Sequence, residues 1–325
     1  MTKLVTEIDK IKQLINQAQK IAVVGHHNPD GDCIGSCVAM SEWLESKGKT
    51  VSLFADGEIP EKFFYMAKAR EFNLHPEIEH FDLLIVLDLS DSARLGAWDN
   101  LPAKSDKIIV IDHHVKPAFK QADVLIDMPQ YASCGEIIYE FFELIKAKIS
   151  FEMATALYTS IICDTGCFLF SNTTANTHRV AEALLEKHKI DIEAINFKNF
   201  RAYDRRNIPV MTYVLKNMQF EFGGRLSISV LPYRLVKKWN LNYESRHGLL
   251  KYATDVNGVT CSIFLTELTK GEFNVSLRSL GKIDVAKIAQ VLGGGGHRNA
   301  SGATFKGSEK ALIKILVAEF AKVID

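Results

Sequence analysis

FDLLIVLDLS (residues 81–90) is a near-continuous run of Leu, Ile and Val that closes on an aspartate and a serine. A strand buried on one face alternates apolar and polar residues, whereas a strand buried on both faces does not. KIIVIDHH (107–114) repeats the pattern and again ends in polar residues. So does IAVVGH (21–26), which runs into HNPDGD. TVSLFAD (50–56) and ADVLIDM (122–128) are shorter runs of the same kind. Helical patterns separate these runs. Leu4, Ile8, Ile11, Leu14, Ile15 and Ala18 recur at helical spacing over 3–19, a helix is predicted from Cys33 to Lys47, and a short helical piece near 61–70. Buried strands alternating with helices predict an α/β fold with a doubly wound, mainly parallel sheet and flanking helices.

From about residue 134 the chain turns helical, with CGEIIYEFFELIKA, FEMATALYTSIICDTG and AEALLEKH. Beyond 218 it changes again. QFEFGGRLSISVL carries a Gly-Gly hairpin signal, GVTCSIFLTEL and EFNVSLRSL read as strands, and DVAKIAQVL reads as a helix leading into GGGGHRNASG. ALIKILVAEFAKVI closes the chain as an amphipathic helix. The expected division is a first domain over 1–190, a helical linker over 191–217 and a smaller C-terminal α+β domain over 218–325, in keeping with 325 residues.

Bulk composition narrows the class. The 39 basic and 39 acidic side chains cancel, which disfavours a binder of long duplex nucleic acid but leaves room for a small phosphorylated substrate. MTKLVTEIDK has no apolar signal-peptide core, and no apolar run approaches the roughly 18–20 residues that span a bilayer. The six cysteines (33, 37, 134, 163, 167 and 261) form no CxxC pair and read as small reduced fillers. A cytoplasmic chain with no membrane partner is expected.

Four polar clusters sit at element ends. They are His26-His27-Asn28-Pro29-Asp30-Gly31-Asp32, then Asp88 with Asp91 and Arg94, then Asp112-His113-His114, and Asp164-Thr165-Gly166. Ligands of open parallel sheets bind at the carboxyl ends of strands, so the clusters can converge. Taken singly each has a bland reading: Asp30 and Asp32 as turn and N-cap, Asp88 as a strand-end turn, His113 as a buried histidine, Asp164 as a cap. Taken together, ionised carboxylates at buried strand ends need a counter-charge, and imidazole plus carboxylate without thiolate suits Mn, Mg or a related divalent ion. His27 reads as local, and His188 and His247 as surface. Arg94 either neutralises substrate or pairs with Asp91. Phe168 and Phe170 read as core ahead of base-stacking platforms.

At these residues the sequence resembles the DHH phosphoesterases. Asp112-His113-His114 is the name-giving tripeptide, and His26, Asp30 and Asp32 match the first motif as HxxxDxD. Asp88 matches the second motif and Asp164-Thr165-Gly166 the last. GGGGHRNASG (293–302), with Arg278 in NVSLRS, is similar to the glycine-rich signature of the DHH-associated C-terminal domain. The resemblance implies two divalent metal ions, Mn ahead of Mg. One would be held by His26, Asp30 and Asp88, the other by Asp32, Asp88, His113 and Asp164. It implies that His114 faces the substrate phosphate, that Asp112 orients ligands, and that Arg278, His297, Arg298, Gly295 and Gly296 bind substrate in a cleft between the domains. The length and DTGCFLFSNTT (164–174) are most similar to the branch that hydrolyses nanoRNA and 3′-phosphoadenosine 5′-phosphate (pAp). The resemblance thus implies short single-stranded RNA and pAp as substrates, and a homodimer. Linear or cyclic dinucleotides such as pApA are the alternative. A pyrophosphatase, a large single-strand exonuclease and a non-catalytic nucleotide sensor are weaker readings.

Overall fold

The structure, a computed structural model, describes residues 3–73, 80–89, 91–114, 119, 121–202, 205–241 and 249–324; His247 lies outside them. The chain divides into two compact units, Met1–Ala202 and Tyr203–Asp325.

The first unit runs α1 (Lys3–Gln17), β1 (Lys20–Val24), α2 (Gly31–Ser46), β2 (Thr50–Phe54), β3 (Phe81–Leu87), β4 (Ser105–Asp112), β5 (Val124–Asp127), α3 (Cys134–Leu144), α4 (Phe151–Asp164), α5 (Ala175–Lys187) and α6 (Ile192–Asn196). The sheet order is β2-β1-β3-β4-β5 and every pairing is parallel. The apolar runs read as doubly buried are so. Ile21, Val23, Leu83, Ile85, Ile109 and Ile111 pack into one core with α1 to α5. Ala22, Val24, Leu84, Val86, Ile108 and Val110 pack on the other face with Phe54, Leu95, Leu101 and Phe119. Each such Val, Leu, Ile or Phe side chain removed from water contributes about 1.5–3 kcal/mol.

The second face differs in detail from the expected helical cover. Its layer consists of 3₁₀ turns, Ser92–Trp98 and Leu101–Lys104. Gly96 at φ 60° and Pro102 break any longer helix there. The helical piece near 61–70 is likewise two 3₁₀ segments, Glu61–Phe63 and Ala67–Glu71.

The second unit runs α7 (Ile208–Lys216), β6 (Gln219–Glu221), β7 (Leu226–Leu231), α8 (Tyr233–Lys238), α9 (Leu250–Thr254), β8 (Cys261–Thr269), β9 (Glu272–Ser279), α10 (Val285–Val291), β10 (Gly295–His297), β11 (Ala300–Lys306) and α11 (Glu309–Phe320). Its sheet has the order β10-β11-β9-β8-β7-β6, antiparallel except for β7 beside β8. The Gly-Gly signal is the β6–β7 hairpin, with Gly223 at φ 65° and Gly224 at φ 93°. One face packs against α10 and α11 through Val285, Ile288, Leu312 and Phe320. The other packs against α7, α8 and α9 through Val210, Val214, Leu235 and Ala253. The helices of 191–217 are shared out: Ile195 packs in the first unit's core, Val210 and Val214 in the second's. Among the described residues no helix is long and apolar enough to cross a membrane.

Candidate metal centre

The first three clusters lie at the carboxyl ends of β1, β3 and β4, and the fourth at the carboxyl end of α4. After β1 the chain passes His26 and reaches Asp30, the N-cap of α2, whose side chain accepts from the Asp32 and Cys33 N–H groups. Asp32 lies in the first turn of that helix. Asp88 follows β3 in the left-handed region, φ 55°, with its N–H donating to the Ile111 carbonyl at 3.0 Å. Asp112 ends β4, and its Oδ1 accepts from the His113 N–H and is 2.7 Å from His114 Nδ1.

These side chains converge. His26 Nε2 lies 3.5 Å from Asp88 Oδ2 and 3.8 Å from Asp30 Oδ1. His113 Nε2 lies 3.3 Å from Asp88 Oδ1, 3.4 Å from Asp32 Oδ2 and 3.7 Å from Asp164 Oδ2. Donor atoms around one ion at roughly 2.1 Å are themselves about 3.0–3.5 Å apart, close to this spacing. Among the described residues three groups could each hold an ion: His26 with Asp30 and Asp88; Asp32 with His113 and Asp164; and Asp88 with His113 and His114. Asp88 belongs to two of them and turns one oxygen toward His26 and the other toward His113. The site grades from a buried floor to an open rim, with side-chain exposure of 3% at Asp88, 29% at Asp164 and 61% at Asp30.

Two observations fit these residues to divalent cations. Asp88 Oδ1 is buried and makes no hydrogen bond, although His113 Nε2 stands 3.3 Å away; a divalent ion would supply the partner it lacks. The charges also balance only with added protons. Burial, reinforced by the Asp88 charge, pushes the Asp32 carboxyl up to about 7. Burial and the Asp32 charge push Asp164 up to about 8. Burial opposes a charge on His26, but Cys33 and the Asp30 and Asp88 carboxylates outweigh it and push the imidazole up to about 12. His113 is raised in the same way, by Asp88 and Asp32 against burial. Burial would raise Asp88 as well, but the two imidazoles hold it well below the usual carboxylate range. Protons on acids and imidazoles thus stand where divalent charge would serve.

The sign of the pH dependence follows. A group whose folded pKa is raised lends stability that is full below its unfolded pKa and is lost as pH rises through the folded one. Asp32, Asp164 and His26 are all raised, whereas Asp88 is ionised in both states above about pH 5. The metal-free protein is expected to lose thermal stability from about pH 5 to about pH 8 as Asp32 and Asp164 ionise, and further toward about pH 12 as His26 loses its proton, and the rise in Tm on adding Mn²⁺ to grow with pH over the first of these windows. A Mn²⁺-induced shift that is flat with pH would contradict this.

The surroundings of Asp32 were not visible in the sequence. Its carboxylate accepts from the Ser160 Oγ at 2.5 Å, the Cys134 N–H at 2.8 Å, the Ser36 Oγ at 3.1 Å and the Gly135 N–H at 3.2 Å. The two N–H groups are the free first-turn donors of α3, whose dipole favours the negative charge. Asn172 Nδ2 likewise donates to Asp164, to the carbonyl at 3.1 Å and to Oδ2 at 3.3 Å. No spacing rule marks Ser160 or Asn172, since both act only once α4 and the segment after it are packed. Ser160→Ala is expected to weaken Mn²⁺ binding about 10–100-fold while leaving the fold in place; calorimetric titration of the metal checks it.

The remaining expected residues lie in the second unit. Register places His297 opposite Ala300, and Ala300 opposite Arg278, in one row across β10, β11 and β9. The His297 side chain lies outside what is described. Arg278 Nη1 donates to the Leu277 carbonyl at 3.0 Å, and the exposed Arg298 donates through Nη2 to the Lys282 carbonyl at 2.6 Å. The glycine run is an ordered hairpin arm. At Gly296, φ 138°, a Cβ would stand 2.7 Å from the Ala300 carbonyl, whereas Gly295 has open space around it. Of the undecided residues, His27 Nδ1 meets Asp56 at 2.6 Å, Asp91 caps the Ala93 N–H, and His188 is half-exposed.

A parallel sheet with this carboxylate and imidazole cluster at its carboxyl edge, followed by a second unit with a glycine-rich hairpin, defines the class. The chain matches the DHH family N-terminal domain over residues 20–161 and the DHHA1 domain over residues 228–323, and it belongs to the DHH family. It is 33% identical, over 88% of its length and 84% of the relative's, to the bifunctional oligoribonuclease and PAP phosphatase NrnA of Thermus thermophilus. It is 26% identical over 88% of its length, but only 45% of the relative's, to the cyclic-di-AMP phosphodiesterase GdpP of Geobacillus thermodenitrificans. The crystal structure of an exopolyphosphatase-related protein from Bacteroides fragilis superposes with a TM-score of 0.92 at 27% identity, covering 98% of this chain and 96% of that one.

Proposed function

We propose that the chain is a metal-dependent hydrolase that releases mononucleotides from very short RNA and converts pAp to AMP and phosphate. The observation that carries the chemistry is Asp88, which offers one oxygen to each of two histidine-containing groups. The substrate class rests on the likeness to the Thermus thermophilus enzyme.

In this reading His26, Asp30 and Asp88 hold one divalent ion, and Asp32, Asp88, His113 and Asp164 hold a second; Mn²⁺ suits such nitrogen and oxygen donors. When bound, the pair supplies Lewis acidity toward the phosphoryl oxygens and acidifies water near neutral pH. The buried hydrogen bonds to Asp32 fix it before substrate arrives. Asp112 holds His114 by its Nδ1, so that His114 presents its other nitrogen to the substrate phosphate. Arg278, His297 and Arg298 grip the nucleotide, with Gly295 and Gly296 admitting it close to the backbone. A cytoplasmic setting fits six free thiols.

A second reading takes linear or cyclic dinucleotides as the main substrate, and the likeness to the cyclic-di-AMP phosphodiesterase favours it. One experiment separates the readings. With Mn²⁺ present, RNA from the dinucleotide up to about twenty-four nucleotides is offered beside pAp, pApA, cyclic di-AMP and pyrophosphate. Mononucleotide release confined to the shortest RNAs, with phosphate from pAp and loss of both on chelation, is the expected result. Turnover of cyclic di-AMP alone would favour the second reading, and turnover of pyrophosphate alone would remove both.

A further inference from the structure

The segment that leaves the metal centre after Asp164 is tied at both ends and strained between them. Asp164 is the last residue of α4, and Asn172, eight residues on, donates back to both its carbonyl and its carboxylate. Between these points Gly166, Cys167 and Phe168 stand in succession in the left-handed region, at φ 55°, 59° and 66°. For Cys and Phe that conformation is unfavourable and persists only when neighbours enforce it. Here the Cys167 N–H donates to the Ile162 carbonyl at 2.7 Å and the Phe168 N–H to the Thr165 Oγ1 at 3.1 Å. Phe168 is packed in place, stacked on His178 at 5.1 Å between ring centroids. The turn ends by presenting Leu169 at 83% exposure and Phe170 at 59%. The Phe170 ring lies on Gly166, where a Cβ would come within 2.5 Å of it. The outer end of the ring, its Cζ and both Cε atoms, therefore lies against the backbone two residues from Asp164, while the residue stays more than half exposed.

Strain held at a site, and an apolar side chain turned outward by it, call for a ligand. We propose that Phe170, with Leu169 beside it, is a specificity-determining platform on which the nucleobase next to the scissile phosphate stacks. The inference rests on the reading of the substrate as a nucleotide. Such a platform would confer a preference for nucleotides over bare phosphate esters without reading any base edge, since stacking tolerates every base. Phe168, the neighbouring candidate, is the support and not the platform.

The test is equilibrium binding of AMP and of ribose 5-phosphate, in Mn²⁺, to the wild-type chain and to Phe170→Ala and Phe170→Trp. In the wild type AMP is expected to bind about 10–100-fold tighter than ribose 5-phosphate. Phe170→Ala is expected to erase that advantage to within about threefold while leaving ribose 5-phosphate and Mn²⁺ binding unchanged, and Phe170→Trp to keep it. An advantage for AMP that survives in Phe170→Ala overturns the proposal, and so does a wild type with no such advantage. So does an equal loss for both ligands, which would mark Phe170 as structural. The hydrolysis panel above reports on the reaction separately, so failure of the one is not mistaken for failure of the other.

Discussion

Asp88→Asn is expected to lower turnover by roughly 10³-fold or more, equivalent to about 4 kcal/mol of transition-state stabilisation, and to weaken the binding of two metal equivalents rather than one. Asp88 turns its two oxygens to different histidines, 3.5 Å and 3.3 Å away. Among the described residues no other belongs to both the His26 group and a His113 group. The variant is chosen so that the backbone stays satisfied. Asn adopts the left-handed region about as readily as Asp, so φ 55° and the N–H bond to Ile111 are retained. Asp88→Ala would add a backbone penalty of about 1 kcal/mol and confuse the result. With Asp88→Asn, Tm in the metal-free state is expected to move by only a few degrees, while metal titration and kcat both collapse. Retention of a tenth of the wild-type kcat with full metal binding would sink the role given to Asp88.

The carboxylates and imidazoles that converge in the candidate centre were legible because each is chemically anomalous where it stands. FDLLIVL and KIIVI announce strands buried on both faces, so the aspartates and histidines that close them had to be accounted for. The parallel sheet was legible for the same reason, and the Gly-Gly hairpin because φ above zero is cheap only for glycine. Other features were not legible. The 3₁₀ layer over 92–104 follows from Gly96 and Pro102, which rule out a longer helix but do not by themselves say that 3₁₀ turns take its place. Ser160 is an ordinary small residue on an apolar helix until α2, α3 and α4 meet around Asp32. Phe168 and Phe170, two apart in an aromatic stretch, read alike; only the left-handed turn over Gly166, Cys167 and Phe168 tucks the first against the core and leaves the second exposed.

Gly35→Val is expected to destabilise the first unit by about 3 kcal/mol or more, a fall in Tm of roughly 6–12 °C, and to weaken metal binding as well. Gly35 lies in α2 where that helix crosses α4. A Cβ there would stand 2.4 Å from the Ala156 carbonyl and 3.0 Å from the Ser160 backbone nitrogen. Both atoms are backbone, so no rotamer change relieves the overlap and the helices must separate. Gly135 plays the same part from α3, with its α-carbon so close that a Cβ would fall 2.0 Å from the Ser160 hydroxyl. The close crossing is what brings that hydroxyl to Asp32 at 2.5 Å. Separation by even half an ångström lengthens the bond beyond the strong range for a charged acceptor. The stability loss and the metal defect therefore share a cause, and they part in a predictable way. Ser160→Ala should reproduce the metal defect with little change in Tm, whereas Gly35→Val should show both. A Gly35→Val chain that melts at the wild-type temperature would mean that α2 and α4 can separate without cost, and that the small residues at their crossing are not what positions Asp32.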